Sequence, residues 1–239
     1  MTRHKNKNIG ASVRARLLNL AKQQGIDFNR MLLLYIQERF LYRLSCSDYM
    51  SQFVLKGGIL FYGAHRGKAR STKDIDFLAK NIPNRSHIFL RYFKDILSID
   101  ADDGVTFLFN TIAVQSIADT AEYKGIRIKF RAKLDTAIIS LQIDVGFNDK
   151  IIPHSVMFDY PVLLNDETIR LTAYSWESVI AEKFEAILKL GAVNSRMKDF
   201  FDINFLQHNT NFNGEQLQAA IFQTLKNTQN TKTNSKAIS

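Results

Sequence analysis

Between Gly125 and Lys133 the chain alternates without exception: Ile126, Ile128, Phe130 and Ala132 are separated by Arg127, Lys129, Arg131 and Lys133. Successive side chains of a strand point to opposite faces, so this stretch must be a strand with one apolar and one wholly cationic face. An apolar face of that kind requires a sheet and a core beneath it. The next stretch, Ala137 to Phe147, is a second strand, and the short break between them predicts a hairpin.

The rest of the chain supplies the helices and further strands. Asn8 to Gln24 and Phe28 to Leu44 read as helices, the second carrying Met31, Leu32, Leu34, Ile36, Phe40 and Leu44 for the core. Phe53 to Leu55, the Gly57 and Gly58 pair and the apolar stretch to Tyr62 read as strand, tight turn and helix. Asp74 to Leu78 alternates like a half-buried strand, Pro83 to Leu97 is helical, and Val105 to Val114 is a strand. Beyond Pro161 the character changes: Ser175 to Leu190 and Ser195 to Gln207 are helical, with Gly191 as the stop between them. The series predicts an α/β (α+β) fold with N-terminal helices over 1–48, a core over 49–160 and a C-terminal helical lobe over 161–226. A disordered tail over 227–239 is expected, because Asn, Thr, Lys and Ser leave almost nothing to bury.

With 239 residues, 46% of them hydrophobic, a core can form without a disulfide or metal staple. Cys46 is the single cysteine, which excludes an intrachain disulfide and agrees with a reducing cytosol. The apolar run Met31 to Gln37 is far below a membrane span, and Leu17 to Ala21 is too short for a secretory signal. A cytoplasmic protein with no membrane partner is therefore expected. A net charge of +9 favours a polyanionic partner, nucleic acid or a phosphorylated substrate. No acid precedes Asp27, while Arg3, Lys5, Lys7, Arg14, Arg16 and Lys22 do, so the start is either a solvated basic arm or part of that contact.

Asp74 and Asp76 lie two apart on a strand and project from one face. Two carboxylates about 4 Å apart repel by roughly 1 kcal/mol in water and about 4 kcal/mol at an effective dielectric of 20, and a divalent cation relieves this. Hard oxygen donors favour magnesium or manganese over zinc. Asp144, inside the apolar segment Leu141 to Gly146, is the natural third ligand, since an acid there is costly without a metal or a partner. The Gly57 and Gly58 turn can present backbone N–H groups to phosphate, and Arg66, Lys68, Arg70 and Lys73 crowd the connection where a triphosphate tail would lie. Plainer readings stand beside these: two surface acids at a strand end, and a glycine pair that is only a turn.

In the helix from Ser175, Trp176, Ile180, Phe184, Ile187 and Leu190 share an arc with Glu182, Glu185 and Lys189 opposite, and Lys183 falls inside the apolar arc. Its partner is either a structural carboxylate or a bound phosphate. Arg196, Asp199 and Asp202, spaced by three, are neighbours that could be no more than exposed ion pairs.

The segments Glu38 to Leu44, Phe53 to Gly58, Arg70 to Asp76, Gln142 to Gly146, Ala181 to Lys183 and Asn194 to Asp202, in this order, resemble the AbiEii family of nucleotidyltransferase-like toxins from bacterial abortive-infection toxin–antitoxin systems. The resemblance implies a nucleotidyltransferase core of the polymerase-beta type with a mixed sheet, and an active site formed by the glycine turn, the Asp74 and Asp76 pair, Asp144, Lys183 and a late aspartate, Asp199 or Asp202. It implies magnesium or manganese on Asp74, Asp76 and Asp144, a nucleoside triphosphate held by Lys56, Gly57, Gly58, Arg70, Thr72, Lys73 and Arg196, and a separately encoded antitoxin. The acceptor it suggests is the 3′ end of a tRNA, whose backbone the face of Arg127, Lys129, Arg131 and Lys133 could hold. A monomer is expected. Nucleotidyltransferases of this type ordinarily carry Gly-Ser where this chain has Gly57 and Gly58, so a hydroxyl is missing from the turn. Alternative functions are a nucleotide-binding toxin without transfer activity and a small-molecule nucleotidyltransferase such as an antibiotic-modifying enzyme. A DNA-binding regulator is disfavoured, since no helix-turn-helix is evident.

Overall fold

The computed structural model describes residues 8–65, 72–120, 123–147, 151, 154–165, 167–190 and 197–236. Two helices open it. α1 (Ile9–Gln24) starts where the Asn8 side chain accepts from the Ala11 N–H and ends at Gly25 in the left-handed conformation. α2 (Phe28–Ser45) is capped by Asp27 and buries Met31, Ile36, Phe40 and Leu41. β1 (Phe53–Lys56) leads directly into α3 (Gly57–Ala64), and β2 (Asp74–Ala79) precedes α4 (Ser86–Leu97). β3 (Val105–Thr120), β4 (Tyr123–Leu134) and β5 (Ala137–Gly146) form a meander, followed by β6 (Val156–Pro161) and β7 (Thr168–Ala173). α5 (Trp176–Leu190), α6 (Met197–Asn209) and α7 (Gly214–Lys236) close the chain.

The strands make one seven-stranded mixed sheet in the order β3-β4-β5-β2-β1-β7-β6. The pairs β2/β5 and β1/β7 are parallel and the others antiparallel. A mixed α/β architecture results, as the element series predicts. One sheet face is roofed by α2 and α4 through an aromatic cluster. Phe40 stacks on Phe93 at 5.6 Å and meets Phe77 and Phe130 edge-on or tilted, and Phe53 meets Phe77 and Phe89 edge-on. Ile126, Ile128, Phe130 and Ala132 of β4 are buried there, leaving Arg127, Lys129, Arg131 and Lys133 on the opposite face.

Two boundaries differ from the composition. β7 lies past Pro161 yet belongs to the core sheet, because Ile169, Leu171 and Ala173 alternate into the core and β1 hydrogen-bonds to it. α7 runs on to Lys236, into the segment read as a tail; once a helix is nucleated, each further residue adds one backbone bond for one residue fixed. No helix among the described residues is long and apolar enough to cross a membrane.

Candidate active site

The sheet face opposite the α2 and α4 aromatic cluster carries a row of four charges across four strands. Lys56 of β1 is the register partner of Asp76 on β2, Asp76 of Asp144 on β5, and Asp144 of Arg127 on β4. Register partners share a face and stand about 4.5–5.5 Å apart at Cβ, so the row reads plus, minus, minus, plus. One step away, Asp74 is the partner of Gln142, which in turn pairs with Lys129. Asp74, Asp76 and Asp144, from two separate stretches of chain, therefore meet on one face.

Asp144 is held tightly. Arg127 Nε and Nη2 donate to its two oxygens at 2.8 Å each, and Gln142 Nε2 adds a bond of 3.2 Å. Arg127 thus belongs to the carboxylate row as well as to the cationic strand face. The other two acids are strained by charge. Burial, then the nearby Asp144 carboxylate, push the Asp74 pKa up against the pull of Arg127, Lys198 and Lys129. Burial also pushes Asp76 up, with Lys56 opposing and Asp144 and Asp74 adding to the rise.

At the row's other end, Lys56 Nζ donates to Glu182 Oε1 and Oε2 at 2.9 and 3.2 Å, and Tyr174 Oη donates to Glu182 Oε1 at 2.9 Å. Tyr174 follows β7 directly, and its N–H donates to the Leu55 carbonyl, so the β7–α5 connection delivers Glu182 to the end of β1. Glu182 lies on the helix face that periodicity assigns away from the core; its partner, a strand lysine, is invisible to helical periodicity.

The glycine turn abuts these acids. Gly57 has φ +69°, and a Cβ there would lie 2.0 Å from Asp76 Oδ2, so only glycine brings the start of α3 this close to the carboxylate. The first turn of α3 has no side-chain cap, and its amides are free of that competition. At Gly58 an added Cβ would lie 2.7 Å from Thr72 Cβ and 3.1 Å from Thr72 Oγ1, so the Thr72 side chain fills the space a serine would need. Its hydroxyl donates to the Asp74 carbonyl at 3.2 Å, which ties the approach to β2 to the turn. Lys73 is exposed, its carbonyl anchored by Gln37 Nε2 at 3.0 Å.

Lys183 donates to Asp199 Oδ1 at 3.1 Å and Asp202 Oδ2 at 2.6 Å, tying α5 to α6, and its amine lies 5.9 Å from the Phe61 ring centre. Both aspartates are buried, so the carboxylate partner is the one present, and the exposed-pair reading of Asp199 and Asp202 does not hold. The next residue after Met197, Lys198, bears on Asp74 and Asp76 electrostatically; sequence periodicity gives no sign of this, because it reports a helix's faces and not its neighbours. Arg131 and Lys133 lie roughly 13 and 20 Å along β4 from Arg127, outside the carboxylate cluster. Arg66, Lys68, Arg70 and Arg196 lie outside the described residues.

Asp74 and Asp76 fit a hard divalent cation: they are oxygen donors on one face whose charged forms are disfavoured by burial and by neighbouring carboxylates. Asp144 stands beside them, with Arg127 and Gln142 taking part of its acceptor capacity. Among the described residues no three His, Cys, Asp or Glu side chains are already gathered around one point. A separate cavity of about 600 Å³ opens between α1, α2 and the 101–103 turn, lined by Arg16, Tyr35, Glu38 and Arg39 and by none of the row.

No curated protein matches the chain. Among solved structures, a Helicobacter pylori protein described as a nucleotidyltransferase is similar at 19% identity and TM-score 0.48, over 74% of this chain and 66% of that one, so the chain spans just under two thirds of its length. JHP933 from Helicobacter pylori is similar at 18% identity and TM-score 0.44, over 72% and 62%. ANT(2″)-Ia, solved in complex with adenylyl-2″-tobramycin, is similar at 12% identity and TM-score 0.43, over 81% and 97%. These likenesses are distant and say nothing of activity. The family match is of another order: the model of the AbiEii nucleotidyl transferase toxin, Type IV toxin–antitoxin system, covers residues 39–238, from the middle of α2 past the end of α7 and through the whole carboxylate row, and the chain belongs to that family.

Proposed function

We propose that the chain is a nucleotidyltransferase toxin of the polymerase-beta type that moves a nucleotide from a nucleoside triphosphate to an acceptor hydroxyl, with the 3′ end of a tRNA as the acceptor. The observation that carries this is the meeting of Asp74, Asp76 and Asp144 beside a glycine turn whose backbone touches one of them.

Asp74 and Asp76 would hold magnesium or manganese, joined by Asp144, whose charge the cation would share with Arg127. Bound there, the metal supplies positive charge to the triphosphate and to the attacking oxygen. The uncapped amides at Gly57 and Gly58 bind phosphate oxygens, and Lys198 and Lys56 offset negative charge that the acids alone would repel. Asp144 accepts the proton of the acceptor hydroxyl as its oxygen bonds to the α-phosphorus, while the bond from that phosphorus to the bridging oxygen breaks and pyrophosphate leaves. Lys183 does not need to touch phosphate in this scheme: with Asp199 and Asp202 it fixes α6 against α5, so that Lys198 stays over the row. Arg131 and Lys133 extend the cationic track along β4 for an RNA backbone. A cognate antitoxin that neutralises the chain follows from the family.

The test is to incubate the protein with labelled nucleoside triphosphates, magnesium and total RNA. Labelled RNA from the wild-type protein and none from Asp76→Ala is expected; labelling that survives the substitution removes the carboxylate row from the chemistry. The Arg127 clamp on Asp144 favours a second reading, a toxin that binds nucleotide without transferring it, for which nucleotide binding occurs and no labelled product forms in any fraction.

A further inference from the structure

The first two turns of α6 carry more exposed apolar surface than a solvated helix needs: Met197 is 71% exposed, Phe200 47% and Phe201 51%. Of these, Phe201 is placed by its neighbours. Residues three, four and seven apart share a helix face, so Lys198, Phe201, Asp202 and Phe205 form one stripe. Each of the other three has a known direction. Lys198 bears on Asp74 and Asp76, Asp202 binds Lys183 of α5, and Phe205 packs against His65 at 4.7 Å and Phe61 at 5.9 Å, both at α3. The stripe therefore faces α3 and α5, and the charge of Lys198 at its start reaches the carboxylate row.

Phe201 stacks on Phe205 at 6.3 Å between centroids and 27° between planes. Phe205 in turn rests on the Phe61, His65 and Trp176 cluster, in which Phe61 is buried and His65 contacts both Phe61 and Trp176. The ring of Phe201 is thus held on a rigid aromatic base with half its surface open, one helical turn from a lysine whose charge bears on the acids.

A flat, supported, open aromatic ring next to a cation is the arrangement that stacks a nucleobase while the cation meets its phosphate. We infer that Phe201 is a nucleobase platform at the mouth of the site, on which the base of the incoming triphosphate or of the acceptor's terminal nucleotide stacks. The inference rests on the nucleotide-transfer reading of the carboxylate row, and it adds the element that row lacks, a surface that binds a base and not merely phosphate.

Binding is measured for wild type, Phe201→Ala, Phe201→Tyr and, as a control on a distant exposed ring, Phe222→Ala. The probes are ATP, GTP, CTP and UTP, inorganic tripolyphosphate, and a single-stranded RNA ending in 2-aminopurine whose fluorescence reports stacking. The expected result is about tenfold weaker binding of a nucleoside triphosphate or of the RNA by Phe201→Ala, restored by Phe201→Tyr, with tripolyphosphate affinity and the Phe222→Ala protein unchanged. Loss confined to the triphosphates assigns the platform to the incoming base, and loss confined to the RNA assigns it to the acceptor end. Unchanged affinity for both, parallel loss of tripolyphosphate, or a wild-type protein that binds neither overturns the inference. The two readings fail separately: RNA labelling that persists in Asp76→Ala removes the transfer chemistry while base binding through Phe201 stands, and a Phe201→Ala protein that binds normally removes the platform while Asp76-dependent labelling stands.

Discussion

Arg127 grips both carboxylate oxygens of Asp144, through Nε and Nη2 at 2.8 Å each, from the register position directly across the β4/β5 pair. A cation that recruits Asp144 competes with this guanidinium for the carboxylate's charge. Arg127→Ala is therefore expected to tighten Mn²⁺ binding by about tenfold, read by electron paramagnetic resonance, with Arg127→Lys intermediate because an ammonium cannot make the two-pronged contact. An unchanged affinity shows that Asp144 takes no part in holding metal.

Metal should also stabilise the fold through the two acids it relieves. Mg²⁺ or Mn²⁺ is expected to raise the melting temperature of the wild-type protein in a concentration-dependent way. Asp76→Asn should abolish most of that rise while raising the melting temperature in the metal-free protein, since burial and two neighbouring carboxylates disfavour its charge. A metal-free Asp76→Asn protein that melts lower than wild type contradicts the charge argument.

Gly57 and Gly25 provide a matched pair. Both have positive φ, +69° and +64°, but nothing lies within 4 Å of a Cβ at Gly25, whereas Asp76 lies in the way at Gly57. Gly25→Ala should cost about 1 kcal/mol from backbone strain alone and leave RNA labelling intact. Gly57→Ala should cost more and reduce labelling at least tenfold. Chemical denaturation and the labelling assay measure the two effects.

Lys183→Met leaves two buried aspartates without their ammonium, and a loss of about 3–5 kcal/mol is expected. Adding Asp199→Asn and Asp202→Asn to that variant should recover part of the loss, because the two buried charges that faced the ammonium are then neutral. If the triple variant is no more stable than Lys183→Met, the ion-pair account of the α5–α6 junction is wrong.

Glu38 lines the cavity beside α1, and burial pushes its pKa from 4.5 up to about 7 despite Arg39 and the Leu163 N–H bonded to it. A raised carboxyl pKa means the folded state prefers the proton. The stability this contributes is complete below about pH 4.5 and is lost as pH rises through about 7. The melting temperature of wild type relative to Glu38→Gln should therefore fall between pH 5 and pH 8, and parallel profiles across that range refute it.

Much of the fold could be read from residue order because its signals are local: the alternation at Gly125 to Lys133, the glycine corner and the apolar run of the helix from Phe28 each depend on a few neighbours. The pairing of Asp74 and Asp76 with Asp144 could be anticipated from the cost of an acid in an apolar strand. What joins them could not. Arg127 reads as one of four equivalent cations, since alternation gives a strand's face but not the strand beside it. Glu182 reads as an outward acid for the same reason, because a helix's own periodicity is silent about which strand end it meets. β7, which starts seven residues past a proline, is too short to announce that it returns to the sheet.

The sheet order also governs when the centre can exist during synthesis. β2 and β5 lie side by side, yet β3 and β4 are translated between them and come to lie outside both. Until β5 has emerged from the ribosome and slotted in beside β2, Asp76 lacks the carboxylate across from it, and the lysine whose charge bears on the pair is translated some fifty residues later still. On the proposed reading, a nascent chain ending anywhere before residue 144 lacks part of the carboxylate row and has no transfer chemistry to perform.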